Sequence, residues 1–207
     1  MSTSPLAFDA LVVNNVVGDR ILDVGCGHGK WGYLLKKYAD PKKGRRHVVG
    51  VDRFEPHVRA LRAEGVYDEV HVADAVSLPF ADRSFDTAIA CELIEHLEPG
   101  QGPALIAELA RVARACFIVS CPMFPCLREG GDTLDGFNPY EAHRQMYSFR
   151  EFQRLGFTQI VGVGRLKLRP WKLAVAFSSL GLLVPRLSRY ALGFRFADGR
   201  KRILATE

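Results

Sequence analysis

Residues 20–32 read RILDVGCGHGKWG, and this stretch decides the fold. A short apolar strand is followed by a helix that begins near Lys30. The turn between them contains Gly25, Gly27 and Gly29, and glycine adopts backbone angles that let a ligand approach closely. A glycine turn between a strand and a helix is typical of nucleotide-type sites. The stretch therefore predicts a ligand site at the carboxyl end of a strand.

The rest of the chain repeats this alternation of short strands and helices. The runs ILDV, VVGV, AIA and FIVS are almost continuously apolar, as expected of strands that helices cover on both faces. Stacked βαβ units of this kind form a parallel sheet. We therefore expect one α/β domain over residues 1–207, with its core in residues 1–121.

Several segments follow the last of these strands. Residues 123–147 are rich in turn formers and predict a long loop at the ligand-binding edge of the sheet, where it would contact the substrate. A short helix with Ser148 as its N-cap and a strand starting near Phe157 come next. Residues 167–193, apolar and basic, predict a helical insertion or cover, and residues 200–207 predict a last strand.

The apolar part of the 167–193 segment is too short to cross a bilayer, which needs about 20 residues. Peripheral contact with a membrane, packing on the sheet and a dimer contact are the alternatives for this segment. The oligomeric state stays open.

Composition excludes several classes of protein. The 207 residues are 48% hydrophobic and 25% charged, which is typical of a globular protein rather than a disordered or membrane-integral one. Lys and Arg outnumber Asp and Glu by 28 to 23, so an anionic partner such as RNA is compatible with the charge but not required. Five cysteines without a secretory leader predict a cytoplasmic location.

Three motifs together resemble the class I S-adenosylmethionine-dependent methyltransferases. The first motif of that family matches residues 21–29, including the acidic Asp23. A strand that ends at Asp52 is the second, and residues 72–86, VADAVSLPFADRSFD, have the family's order of strand, Asp-Ala pair, Leu-Pro-Phe loop and Ser-Phe-Asp. A dinucleotide-binding dehydrogenase would carry glycine where Lys30 stands, so that alternative fits less well.

The resemblance implies a Rossmann-like methyltransferase fold with a mostly parallel seven-stranded sheet, with S-adenosylmethionine as cofactor and S-adenosylhomocysteine as product. In this family the glycine loop holds the methionine part, and the acidic residue at Asp23 helps to place its amino group. Asp52 would bind the ribose hydroxyls, and Asp74 with the Ala75 amide would address the adenine. The expected cofactor residues are Asp23, Gly25, Cys26, Gly27, Gly29, Asp52, Arg53, Asp74, Ala75 and Cys91.

The residues around ACELIEHLEP, at the end of the fourth strand, are expected to face the methyl donor. Methyl transfer to a hydroxyl needs alignment and a base, and His is the natural base near neutral pH. Glu92, His96 and His143 are therefore the candidate catalytic residues. A small molecule with an oxygen nucleophile is the expected acceptor.

Two other functions stay open. Together with Glu95, the three candidate catalytic residues also resemble the pattern of metal-dependent RNA 3′-terminal 2′-O-methyltransferases, in which a divalent ion activates the hydroxyl. The same Glu-x-x-Glu-His occurs in metal-free small-molecule enzymes of the class, so no metal ligand is assigned. A noncatalytic S-adenosylmethionine-binding subunit is the second alternative.

Overall fold

The computed structural model describes residues 6–37, 45–123, 129–157, 159–166 and 188–196. The helices of these ranges are α1 (Leu6–Asn15), α2 (Lys30–Lys37), α3 (Glu55–Glu64), α4 (Gly102–Val112) and α5 (Phe149–Arg154), with 3₁₀ turns at Ile94–His96 and Pro139–Glu141. The strands are β1 (Arg20–Val24), β2 (His47–Asp52), β3 (Glu69–Val72), β4 (Phe85–Cys91), β5 (Ala113–Pro122), β6 (Gly131–Thr133), β7 (Gly136–Asn138), β8 (Gln159–Leu166) and β9 (Ser188–Phe196).

Seven strands of the described ranges form one sheet in the order β3-β2-β1-β4-β5-β9-β8. The pairs among β1 to β5 are parallel, whereas β9 runs antiparallel to both of its neighbours. The chain reverses its direction of travel across the sheet between β1 and β4, and open α/β sheets bind ligands at the carboxyl ends of strands at such a point. The predicted Rossmann-like α/β fold with a mostly parallel seven-stranded sheet is confirmed.

Apolar side chains alternate between the two faces of the sheet and build two core clusters. Ile21 and Val48 belong to one cluster, and their neighbours Leu22 and Val49 belong to the other. Side chains of α1, α2 and α3 complete the first cluster, and those of α4 and α5 complete the second. None of the helices in the described part of the chain is both long and apolar enough to span a bilayer.

The core extends beyond residues 1–121, so that expectation was wrong. Phe152, Phe157, Val161 and Phe194 are all buried, because α5, β8 and β9 pack against the sheet that the earlier residues form. The helix α1 at the start of the chain was not predicted.

Two further expectations need correction. Residues 188–193 were expected in the helical insertion. They instead form the first part of β9, which pairs antiparallel with both β5 and β8. The expected loop at 123–147 contains the β6–β7 hairpin, in which Leu134 and Asp135 form the turn and Gly136 follows with a positive φ of 105°. Residues 167–187 and the strand expected at 200–207 lie outside the described residues.

The amino edge of the sheet, opposite the ligand edge, is held by Asp86. Its Oδ2 accepts hydrogen bonds from the amides of Asp19 and Arg20, each at 3.0 Å, and its Oδ1 accepts one from Arg114 Nε at 2.6 Å. One carboxylate at the start of β4 therefore joins the starts of β1 and β5.

Candidate functional site

The glycine turn after β1 is fastened to the end of β2. The amides of Gly25 and Cys26 both donate to the Val51 carbonyl, at 2.8 and 3.0 Å. Gly27 has a φ of 47°, in the left-handed region, and a Cβ placed there would meet nothing within 4 Å. The backbone at Gly27 thus faces open space, so a ligand can lie directly against it.

Asp52 ends β2 beside this turn. Its Oδ2 accepts a hydrogen bond from the Gly27 amide and its Oδ1 accepts one from the Phe54 amide, both at 2.8 Å. Burial raises the pKa of Asp52 above its ordinary value, although the two amide donors act in the opposite direction. Each carboxylate oxygen has a second acceptor position, so the group can still receive two hydroxyl donors from a ligand.

Asp74 and Ala75 lie one strand further along, after β3. Asp74 Oδ1 accepts a hydrogen bond from the Val76 amide at 3.1 Å, which fixes the turn that carries the Ala75 amide. Arg53 lies 3.6 Å from Asp74 Oδ2 and stacks on the ring of Tyr140 at 4.9 Å from its centroid. These contacts put the predicted adenine-binding residues on the same edge of the sheet as Asp52.

Asp23 lies under the glycine turn and is completely buried. The Tyr67 hydroxyl donates to Asp23 Oδ2 at 2.6 Å and accepts a hydrogen bond from the Gly32 amide at 3.1 Å. Burial raises the pKa of Asp23 to about 7, and the hydrogen bond from Tyr67 only partly opposes this rise. An ionised carboxylate at this buried position is therefore energetically unfavourable.

The end of β4 carries a strained acidic residue. Glu92 has a φ of 56°, which is rare for a residue with a side chain, and its amide donates to the Ser120 carbonyl at 3.0 Å. The Ser120 hydroxyl donates to Glu92 Oε1 at 2.9 Å. Burial raises the pKa of Glu92 to about 7, so at neutral pH the group exchanges a proton readily.

The structure brings together Glu95, His96 and His143. One ligand atom from each lies within 4.8 Å of the others, and the two imidazole rings meet edge to face with centroids 4.5 Å apart. His96 Nδ1 lies 3.1 Å from the Ala142 carbonyl. Because a carbonyl can only accept, Nδ1 carries the proton, and Nε2 is the basic nitrogen of the neutral ring. Glu92 is not a member of this cluster.

A cavity of about 230 Å³ joins these elements at the carboxyl edge of the sheet. It is lined by eight of the residues predicted for the site, namely Gly25, Gly27, Asp52, Arg53, Asp74, Ala75, Glu92 and His96. Asp23, Cys26, Gly29, Cys91 and His143 do not line it. Cys26 and Cys91 are buried in the core, and His143 contacts His96, which lines the cavity.

The sequence did not predict the individual residues that form the remaining part of the cavity lining. Asn138, at the end of β7, and Tyr140, Glu141 and Arg144, which follow the hairpin, also line the cavity. The turn-rich composition of residues 123–147 predicted substrate contact for the segment as a whole. The local signal for the hairpin is Gly136 directly after Asp135, since glycine readily adopts the positive φ that this end of the turn has.

The cavity fits S-adenosylmethionine by its own chemistry. The open space against Gly27 admits a ligand, Asp52 has acceptor capacity for two hydroxyls, and the Ala75 amide lies beyond it in the same cavity. The order glycine turn, acid and Asp-Ala turn follows the order β1, β2 and β3 across the sheet. Such an arrangement defines a Rossmann-like site for an adenosine-containing cofactor.

Comparisons with known proteins extend this result. Residues 21–115 match a family model described as a methyltransferase domain. The 27-O-demethylrifamycin SV methyltransferase of Amycolatopsis mediterranei is 36% identical over 104 residues, which are 47% of this chain and 35% of the relative. The tRNA (carboxymethyluridine(34)-5-O)-methyltransferase of Arabidopsis thaliana is 31% identical over 126 residues, 60% of this chain and 29% of the relative.

A solved structure shares the fold. The crystal structure of an S-adenosylmethionine-dependent methyltransferase from Archaeoglobus fulgidus aligns with a TM-score of 0.55 at 18% identity, over 91% of this chain and 94% of the other. Residues 21–115 are therefore similar in sequence to a methyltransferase domain, and the chain shares the fold of an S-adenosylmethionine-dependent methyltransferase. The matched region spans about a third of the length of the two curated relatives, 35% and 29%.

Proposed function

We propose that this protein transfers the methyl group of S-adenosylmethionine to an oxygen nucleophile of a small molecule. The observation that supports the proposal is the single cavity in which the glycine turn, Asp52 and Asp74 meet Glu92 and His96. The glycine turn, Asp52 and Asp74 suit the cofactor. Glu92 and His96 provide proton acceptors where β4 ends. A bound cofactor would supply a methyl group on a sulfonium, which needs no further activation.

The protein's own contribution is to align the acceptor and to remove its proton. His96 is suited to this task because the Ala142 carbonyl fixes the proton on Nδ1 and leaves Nε2 as the base. With the cofactor bound, S-adenosylmethionine would supply the methyl group and leave as S-adenosylhomocysteine, and His96 Nε2 would take up the hydroxyl proton of the acceptor. Glu92, on the same wall, would orient the acceptor or hold a second proton.

The relatives support an oxygen acceptor. The protein from Amycolatopsis mediterranei is named for an oxygen of demethylrifamycin SV, and the one from Arabidopsis thaliana is named for an oxygen of a modified uridine. The cavity wall from Asn138 to Arg144 holds both charged and aromatic groups, which suits a partly polar small molecule.

The cofactor part of the proposal is tested by calorimetric titration with S-adenosylhomocysteine. Wild type should bind at micromolar concentration, and Asp52→Asn should raise the dissociation constant at least tenfold. The amide can satisfy only one of the Gly27 and Phe54 donors and offers the ribose fewer acceptor positions. Asp132→Asn, on the exposed outer strand of the hairpin, is the control and should bind as wild type does. Equal binding by all three proteins would overturn the assignment.

The acceptor part is tested by incubating the protein with methyl-labelled S-adenosylmethionine and a panel of hydroxylated small molecules. Label transferred to a hydroxyl oxygen supports the proposal. Cofactor binding with no transfer to any acceptor contradicts it and favours the noncatalytic subunit instead.

A second candidate function is metal-assisted methylation of the 2′-hydroxyl at an RNA 3′ end. The cluster of Glu95, His96 and His143 favours it, because one carboxylate and two imidazoles form a plausible ligand set for a divalent ion. An RNA oligonucleotide with a free 3′-terminal 2′-hydroxyl is the substrate for the test. Transfer that requires Mn²⁺ and stops with a chelator would favour this function, and transfer to small molecules in the presence of chelator would exclude a metal requirement.

A further inference from the structure

A second group of metal-ligating side chains lies outside the cavity, where the hairpin meets the glycine turn. His28 comes from the turn after β1, His57 from α3, and Asp135 from the loop between β6 and β7. Asp135 Oδ2 is 3.6 Å from His28 Nδ1 and 3.9 Å from His57 Nε2. The ring centroids of His28 and His57 lie 4.4 Å apart. Three segments that are remote in sequence thus direct ligand atoms to one point.

His57 is the residue that ordinary packing leaves unexplained. Its side chain is only 1% exposed, and neither ring nitrogen has a hydrogen-bond partner. The nearest carboxylate oxygens, on Asp135 and Asp52, are 3.9 and 4.0 Å away, too far for hydrogen bonds. A buried polar group without a partner costs about 1–3 kcal/mol, so the arrangement favours an additional group at this point.

The buried position of His57 favours the neutral form of its imidazole. Burial lowers the pKa of His57, and the nearby His28 acts in the same direction, whereas Asp52, Asp135 and Glu141 oppose the shift. A neutral imidazole is a ligand, whereas a protonated one is not. A simple ion pair between a charged His57 and Asp135 is therefore disfavoured.

We propose that His28 Nδ1, His57 Nε2 and Asp135 Oδ2 bind a divalent transition-metal ion of the Zn²⁺ type. Two imidazoles and one carboxylate are a known ligand set for such ions, with a remaining position for water or another ligand. Bonds of about 2.0 Å in tetrahedral geometry would place the ligand atoms about 3.3 Å apart. The observed 3.6 and 3.9 Å are thus within a small closing movement of binding distance.

The environment of His57 also fits a ligand. Metal-bound histidines usually donate their second ring N–H to a carboxylate, and Asp52 Oδ2, which lies 4.0 Å from His57 Nδ1, would have to move closer to accept that hydrogen bond. The ion would fasten the hairpin to the glycine turn and to α3. Since Asn138 at the end of β7 lines the cavity, this connection would fix one wall of the cofactor site. The proposal goes beyond methyl transfer and does not depend on it.

The test is titration of the full chain with Zn²⁺, in the absence of cofactor, against a chromophoric chelator. Wild type should bind one ion in this group at micromolar concentration or below. His28→Gln and Asp135→Asn should each lower the association constant for Zn²⁺ at least tenfold, and both sites are partly exposed, which favours folded variants. Circular dichroism checks that each variant is folded.

His71→Gln is the matched control, because His71 is a partly exposed histidine beside a carboxylate, hydrogen-bonded to Glu69 at 3.2 Å, and lies outside the group. Hydrogen exchange adds a second readout, since Zn²⁺ should slow exchange of the β6 and β7 amides in wild type but not in Asp135→Asn. Unchanged Zn²⁺ affinity in His28→Gln and Asp135→Asn would overturn the proposal. So would loss of binding in His143→Gln alone, which would place the ion in the Glu95, His96 and His143 cluster.

Discussion

The cofactor half and the acceptor half of the cavity are built in different ways. In the cofactor half, each functional residue lies at the end of β1, β2 or β3 or within three residues after it, and main-chain amides make the key bonds. In the acceptor half, at the end of β4, side chains join segments that are far apart in sequence. Gln145 Nε2, for example, donates to the carbonyls of Ile94 and Leu97 at 3.0 and 3.3 Å.

This difference indicates what each half can tolerate. Strand ends that are in register hold the cofactor residues in place, so their positions depend on the sheet itself. The acceptor residues depend on how residues 129–147 fold over the sheet, and that segment can change without altering the strands. We therefore expect cofactor affinity to respond to changes in the first half, and turnover or local stability to respond to changes in the second.

The largest expected effect comes from Asp23, under the cofactor half. Its pKa of about 7 lies above the ordinary 3.8, so the unfolded chain loses this proton at a lower pH than the folded protein does. Stability is therefore highest below pH 4 for this group and falls as pH rises from about 4 to 7. Asn cannot ionise, so Asp23→Asn should gain about 3 kcal/mol in unfolding free energy relative to wild type between pH 5 and pH 8.

Urea unfolding at the two pH values measures this gain. Tyr67→Phe is the companion variant, because it removes the hydrogen bond that partly holds the pKa of Asp23 down. Its stability should therefore continue to fall to a higher pH than that of wild type. If the free energies of unfolding of wild type and Asp23→Asn changed with pH in the same way, Asp23 would not have a raised pKa in the folded protein.

The next effect concerns turnover in the acceptor half. His96→Gln should lower the methyl-transfer rate about 100-fold, a typical contribution of a general base, because the amide cannot take up the hydroxyl proton. The dissociation constant for S-adenosylhomocysteine should stay within about twofold of wild type, since His96 is not among the strand-end cofactor residues. Rate measurements and calorimetry on the same preparation separate the two. A matching loss of cofactor affinity would break the division between the halves.

A smaller effect is expected on cofactor affinity. Gly27→Ala should weaken binding of S-adenosylhomocysteine about thirtyfold, or about 2 kcal/mol, because the added Cβ projects into the open space that the ligand needs. Gly65→Ala is the matched control, since Gly65 also has a positive φ, 66°, and open surroundings but ends α3 away from the cavity. Both variants should lose similar stability, and only the first should lose affinity. Equal affinities would contradict the position of the cofactor.

The smallest effect should be confined to stability. Ser148 caps α5 through a capping box with Glu151, in which each side chain bonds the other residue's amide, at 3.3 and 2.7 Å. Ser148→Ala should lower the free energy of unfolding by about 1 kcal/mol and leave cofactor affinity unchanged. Thermal unfolding and calorimetry measure the two quantities. A change in cofactor affinity would show that the stability of α5 affects cofactor binding.

The parts of the site that were predictable from sequence are those fixed by strand ends. Gly27, Asp52 and Asp74 could be predicted because the motifs that contain them resemble those of the class I methyltransferases, and the structure brings the three residues to one cavity. The meeting of His96 with His143 was a hypothesis from residue pattern, and the structure places the two rings in contact. Neither the hairpin nor the His28, His57 and Asp135 group was predicted, because those contacts join three segments with no shared periodicity.

The carboxylate of Asp86 has a consequence for the order of folding. It joins Arg20, which lies 66 residues before it, to Arg114, which lies 28 residues after it. Each bond closes a long loop, the first over 66 residues and the second over 28, and the entropic cost of loop closure rises with length. We therefore expect the β1–β2 pair to form early and the amino edge around β4 to close late. Substitution of Asp86 should then accelerate unfolding much more than it slows refolding.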